Sequence, residues 1–178
     1  TKPGSPSTIT SSAVDNEFSK NNASTLVLMD KTAHKDQFTT QSTTDINADI
    51  GHIFASPVVD DSNPHYTNQV ALMNNGRWAV VMGNGYNSAN QRPVLLIQYL
   101  SGNDTSIKAI PAVTSLESPI AQRNGLSAPR LVDINGDGTP DVVYAGDLLG
   151  NMWKFDVSSN TESDWNIAFS GKPLYTAR

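Results

Sequence analysis

Apolar residues in this chain come in short runs, and stretches rich in Gly, Pro, Asn and Asp separate them. The runs are "STLVLMD" (24–30), "HIFASPVVD" (52–60), "RWAVVMGNG" (77–85) and "PVLLIQYL" (93–100), then the weaker "KAIPAV" (108–113). "APRLVD" (128–133), "DVVYAGD" (141–147) and "NMWKFDV" (151–157) follow, and "KPLYTAR" (172–178) reads as an interrupted strand. Each run is rich in Val, Ile, Leu and aromatics, which favour a pleated, half-buried surface. None keeps apolar residues three and four apart long enough to form a helical face. The pattern predicts an all-β chain with polar loops over 31–50, 61–76 and 101–127.

The strands repeat. "SPVVD…RWAVVMGNG…PVLLIQYL" lines up with "APRLVD…DVVYAGDLLG…NMWKFDV": strand, loop, Gly-ended strand, turn, strand. A recurring strand group of this kind predicts a modified β-propeller. The repeat is longer than common blades, and the excess falls in the long inter-strand loops. Two clear units imply that 24–178 holds a partial set of blades, a fragment of a larger propeller domain. Residues 1–23, full of Ser, Thr, Pro and Asn, are expected to be a flexible linker or loop.

Composition narrows the function. Of 178 residues, 12 are Lys or Arg and 17 are Asp or Glu, for a net charge of −5. With no basic run, nucleic acid and anionic membrane surfaces are poor partners. No Cys is present, which excludes disulfides, thiolate zinc sites and cysteine nucleophiles. No stretch approaches a membrane span, so direct membrane insertion by these residues is not expected.

One motif carries chemistry. In "DINGDGTPD" (133–141) oxygen donors fall at alternate positions: side chains of Asp133, Asn135, Asp137 and Asp141, and the backbone carbonyl of Thr139. Hard oxygen donors in a tight loop suit Ca²⁺, which takes 6–8 of them. Gly138 stands where such a loop turns sharply and φ > 0 suits Gly. Three carboxylates would repel one another without a cation. The loop departs from an EF-hand: Tyr144 replaces the bidentate Glu, strands replace the helices, and Asp141 must take a larger share of coordination. "DINADIGHI" (45–53) opens alike but places Ile50 and Ile53 where Gly and an oxygen donor are needed. It reads as a polar loop leading into a strand.

Other features are blander. "GNGYNS" (83–88) lacks the Lys-Ser/Thr of a phosphate loop and reads as a turn. His34, His52 and His65 have no metal-ligand spacing, and His52 reads as a structural histidine. Trp78, Trp153 and Trp165 are expected in the core or between blades. No catalytic nucleophile sits in a recognisable setting, so the chain is not expected to be an enzyme.

"DIGHIFASPV", "GRWAVVMGNGYNS", "VLLIQYL" and above all "LVDINGDGTPDVVYAGDLLGNMWKFD" resemble the C-terminal domain of the type IV pilus PilC/PilY family. These are pilus-biogenesis factors and tip-associated adhesins of Gram-negative bacteria. The resemblance implies a modified β-propeller and a calcium loop at Asp133, Asn135, Asp137, Thr139 and Asp141. It implies export through the periplasm to the outer membrane or pilus tip, and partners among pilus subunits or minor pilins and host-cell receptors. It also implies roles in pilus extension against retraction, twitching motility and adhesion. "AGDLLGNMWKFD" resembles quinoprotein dehydrogenase blades as well, and an integrin-like calcium repeat is a third reading.

Overall fold

The structure is a computed structural model, and it describes residues 41–42, 44–53, 58–59, 67–100, 106–116 and 123–177. All of these fall in one compact unit. The expected linker at 1–23 and the expected strand at 24–30 lie outside the described residues.

Two antiparallel sheets form. The first runs β1 (Val70–Leu72), β2 (Trp78–Gly83), β3 (Val94–Tyr99) and β4 (Ile107–Pro111), each strand paired with the next in sequence. The second repeats this order with β5 (Arg130–Val132), β6 (Val142–Gly146), β7 (Asn151–Asp156) and β8 (Asn166–Ile167). A further strand, β9 (Tyr175–Thr176), pairs with the start of β7, while β8 pairs with its end. The outer strand of the second sheet is thus broken in two by the 3-10 turn Phe169–Gly171. Each sheet contains a four-strand meander, the form of a propeller blade, and in the second sheet β9 is added beside β7.

Alternation along the strands builds the core. Val81, Leu95, Ile97 and Tyr99 point to one face of the first sheet and meet Val143, Ala145, Trp153 and Phe155 of the second. Met73, Ile110, Leu126, Val157 and Trp165 close this cluster. The opposite face of β3 packs Val94 and Leu96 against Ile50. β3 is therefore buried on both sides, which explains its unbroken apolar run.

Close backbone approach joins the two sheets. A Cβ on Gly83 would stand 2.0 Å from the Ser127 carbonyl oxygen, so only Gly fits at the end of β2. There Leu126 donates its amide to Asn84 Oδ1 at 2.9 Å, and its carbonyl accepts from the Gly85 amide at 3.0 Å. Asn84 also donates to the carbonyls of Asp49 and Arg92, at 2.8 and 2.9 Å. Of "GNGYNS", Gly83 ends β2, and the rest is an irregular connection toward β3 in which Tyr86 bridges His52.

Several expectations need correction. "HIFASPVVD" is not a strand in its described part: His52 and Val59 make only isolated bridges, to Tyr86 and Thr67. The leading strand of the first repeat is instead β1, inside the span expected to be a polar loop. Val70 pairs with Val80 there, as Arg130 pairs with Tyr144 in the second repeat. Trp153 and Trp165 are core residues, but Trp78, the first residue of β2, is 52% exposed. His52 is exposed and stands beside Tyr86, with ring centroids 5.4 Å apart.

Candidate metal centre

The loop Asp133–Asp141 joins β5 to β6, adjacent strands paired from Arg130↔Tyr144 to Val132↔Val142. The Asp141 amide donates to the Val132 carbonyl at 2.9 Å and closes the loop at its base. Its far end is exposed: residues 133–138 face solvent, Pro140 and Asp141 are buried, and Thr139 lies between. Gly136 and Gly138 have φ of +79° and +89°, a backbone that side-chain-bearing residues adopt at a cost.

The expected donors turn to the loop's own amides. Asp133 Oδ1 accepts from Gly136 N at 2.7 Å, and Oδ2 from Gly138 N at 2.8 Å. Asn135 Oδ1 accepts from Asp137 N at 2.8 Å. Asp137 Oδ1 accepts from the Thr139 amide at 2.8 Å and its hydroxyl at 2.6 Å. Asp141 Oδ2 accepts from Ile134 N at 2.7 Å and Asn135 N at 3.2 Å. Backbone dipoles therefore offset part of the carboxylate repulsion that the sequence implied. The hydrogen bonds of the Thr139 side chain, then of its amide, hold the Asp137 carboxyl below the usual carboxylate range.

Among the described residues, none of the ion pairs reaches this loop: they are Arg92–Asp49 and Arg77–Glu162. Nor do three acidic or histidine side chains stand close enough, as placed, to hold an ion. The donor set is nonetheless of one chemical kind, hard oxygen, on a short segment with two positive-φ glycines. That chemistry fits a calcium ion, and it offers nothing to a metal that needs nitrogen or sulfur.

A residue that sequence reasoning missed grips the loop from the first sheet. Asn74, in the β1–β2 turn, donates Nδ2 to the carbonyls of Pro140 at 2.8 Å and Val157 at 3.0 Å. Its Oδ1 lies 2.9 Å from the Thr139 hydroxyl. The same turn carries Asn75 and Arg77. Asn75 Nδ2 donates to the Tyr99 hydroxyl at 2.8 Å, and Arg77 lies 3.3 Å over the Tyr99 ring. Tyr99 in turn donates to Glu162, which follows β7. No spacing signal in "MNNGR" could have pointed across 65 residues to Thr139.

The lookalike segment does different work. Residues Ile46–Asp49 form a 3-10 turn, capped where Asp45 accepts from the Asn47 amide. Asp49 is buried, and both its oxygens are held by Arg92. Asn90 Nδ2 also donates to Asp49 Oδ1 at 2.7 Å.

A cavity of about 290 Å³ opens between the sheets' ends, lined in part by His52, Met82, Tyr86, Leu126, Asp147 and Leu148. Asp147 is the carboxylate on its wall, and that group is fully engaged. It accepts from Trp153 Nε1 at 2.8 Å, from the side chains of Asn124 and Asn151, and from the amides of Leu149 and Asn151. It is a structural hub that ties the Asn124 segment to the start of β7. Among the described residues, no helix is long and apolar enough to cross a membrane.

Comparison with known proteins gives a consistent result. The family model described as the PilY1 beta-propeller domain matches residues 42–177. The type IV pilus biogenesis factor PilY1 of Pseudomonas aeruginosa strain UCBPP-PA14 is 38% identical over 152 residues, covering 74% of this chain and 12% of that protein. A PilY1 homolog of Xylella fastidiosa strain Temecula1 is 39% identical over 118 residues, covering 61% of this chain and 8% of that protein. The crystal structure of the P. aeruginosa PilY1 C-terminal domain superposes with a TM-score of 0.58 at 35% identity, covering 74% of this chain and 27% of that one. The chain thus spans about one eighth of the first of these relatives.

Proposed function

The chain belongs to the PilY1 β-propeller family, and from that premise we propose that it is the calcium-binding propeller module of a type IV pilus biogenesis factor. The observation that carries the calcium reading is the loop 133–141. Three carboxylates sit within nine residues there, two positive-φ glycines shape the turn, and no described cationic side chain pairs with them.

Asp133, Asn135, Asp137 and Asp141 would hold the ion through side-chain oxygens, and Thr139 through its carbonyl. The ion would supply positive charge, and binding entails drawing the three carboxylates together. Because the loop joins β5 directly to β6, binding free energy becomes stability of that strand pair. The module acts by shape and cation binding, and it performs no catalysis; the names of the relatives, biogenesis factors, support this. In the whole protein it serves pilus extension against retraction, twitching motility and host-cell adhesion. Its place is the outer membrane or pilus tip, and its partners are pilus subunits or minor pilins and a host-cell receptor.

Thermal unfolding with calcium and with chelator tests the reading. With a dissociation constant on the order of 10 µM, about 1 mM calcium adds roughly 2.7 kcal/mol. Asp137→Ala and Asp141→Ala abolish that increment, while Asp45→Ala, which removes the acceptor for the Asn47 amide and side chain, keeps it. An unchanged calcium shift in Asp137→Ala would refute the site.

A further inference from the structure

We propose that Asn74, on the neighbouring sheet, is a positioning residue for the calcium loop, and that the Thr139 hydroxyl couples ion binding to the contact between the two sheets. The inference rests on the calcium reading and deepens it.

The geometry sets a conflict over one proton. Thr139 Oγ1 lies 2.6 Å from Asp137 Oδ1 and 2.9 Å from Asn74 Oδ1. Both neighbours are acceptors at those atoms, and a hydroxyl carries a single hydrogen. The orientation of Asn74 follows from its other contacts, since its amide nitrogen faces the Pro140 and Val157 carbonyls at 2.8 and 3.0 Å. Its oxygen is therefore the atom turned to Thr139. Without an ion, the charged and closer Asp137 oxygen takes the proton, because hydrogen bonds to ionised acceptors are the stronger ones. Asn74 Oδ1 then lacks its donor.

A cation held by Asp137 would offset the charge of that carboxylate and weaken its hold on the Thr139 proton. The Thr139 hydroxyl would then donate to Asn74 Oδ1, and the contact between sheets would gain a hydrogen bond. Asn74 also fixes the ligand side of the same peptide. It grips the Thr139 side chain on one side and the Pro140 carbonyl on the other, which sets the direction of the Thr139 carbonyl between them. Coupling of this kind is reciprocal: if the ion tightens the Asn74 contact, the Asn74 contact tightens the ion.

The experiment is calcium titration calorimetry on the purified protein and five variants, with stability in chelator measured in parallel. Asp137→Ala reports on the site itself. Asn74→Ala weakens calcium binding about fivefold, the scale of one neutral hydrogen bond. Thr139→Val loses the Asp137 bond in the ion-free protein and the Asn74 bond in the ion-bound one, and the first is the stronger, so it binds calcium at least as tightly as the parent. Thr139→Ser, which keeps the hydroxyl, stays within about twofold of the parent. On the Thr139→Val background Asn74→Ala costs less affinity than in the parent, because the bond to Asn74 Oδ1 is already gone. A role of Asn74 in folding alone would lower stability in chelator and leave the calcium affinity of Asn74→Ala unchanged. Should Asn74→Ala fail to fold, Thr139→Val decides, and weaker binding than the parent's overturns the coupling. Parent protein that binds no calcium overturns the calcium reading and the coupling together. Parent protein that binds, with Asn74→Ala binding equally well, overturns the coupling alone.

Discussion

Arg92 holds Asp49 at two points: Nε meets Oδ1 at 2.8 Å, and Nη2 meets Oδ2 at 2.8 Å. Both side chains are 5% exposed. Asp49→Ala leaves a buried guanidinium without its partner, which typically costs about 3–5 kcal/mol. The expected outcome is a large loss of stability in denaturant titrations, equal with calcium and with chelator. A loss confined to the calcium condition would mean that Asp49 serves the ion. Asp49→Ala is consequently a poor neutral control for the calcium loop, and Asp45→Ala is the better one.

The loop at 133–141 should discriminate among cations. A flexible all-oxygen site prefers Ca²⁺ to Mg²⁺, which demands near-ideal octahedral geometry and sheds water reluctantly. Zn²⁺ should bind poorly without His or Cys ligands. Displacement of a luminescent lanthanide is expected to need far less calcium than magnesium. Equal displacement at matched concentrations would contradict the assignment.

Tyr99 should resist ionisation. Burial, then its hydrogen bond to Glu162, raises its pKa to about 12, against the opposing hydrogen bond from Asn75. The folded state holds the phenol proton more tightly than the unfolded chain, whose tyrosines titrate near ~10. The stabilisation is complete below pH ~10 and is lost as pH climbs through about 12. Ultraviolet titration should show a late phenol step that is absent in Tyr99→Phe and comes earlier in Glu162→Gln. A Glu162→Gln profile identical to the parent's would remove Glu162 from the account.

Two glycines should fail for different reasons. At Gly83 a Cβ would meet the Ser127 and Leu126 carbonyl oxygens at 2.0 and 2.4 Å, so Gly83→Ala must push two backbones apart. The expected cost is about 1–3 kcal/mol or more, as for an overpacked core. At Gly136 a Cβ has open space, and only the φ of +79° opposes it. Gly136→Ala should cost about 1–2 kcal/mol. Urea unfolding compares them, and a Gly83→Ala protein as stable as the parent would deny the close contact.

Much of the fold was legible in the sequence because the long strands are self-declaring. β2, β3, β6 and β7 each bury alternate or all residues, and their Val, Ile, Leu and aromatic content marks them without any partner. Two strands were not legible for want of length. β1 and β8 have three and two residues, and only pairing with a longer neighbour makes them strands. β9 is as short, but it falls within "KPLYTAR", which reads as a strand. "QVALM" carries four apolar residues of five against two valines in "SPVVD", and Val70–Leu72 pairs with β2 and heads the first sheet. The polar stretches on either side, "DSNPHYTN" and "NNG", hide that short run inside what reads as a loop.

The oxygen donors of the loop were set by the sequence alone, since alternate spacing of Asp133, Asn135, Asp137 and Asp141 is a local property. So was the failure of 45–53 to match, through Ile50 and Ile53. What Asp49 does, and what holds the loop from outside, only the tertiary structure decided. Asp49 finds Arg92 at a separation of 43 residues, and Asn74 finds Thr139 at 65. Single polar side chains in turns carry no periodicity, so their partners emerge only when two sheets pack face to face and bring distant turns within hydrogen-bond reach.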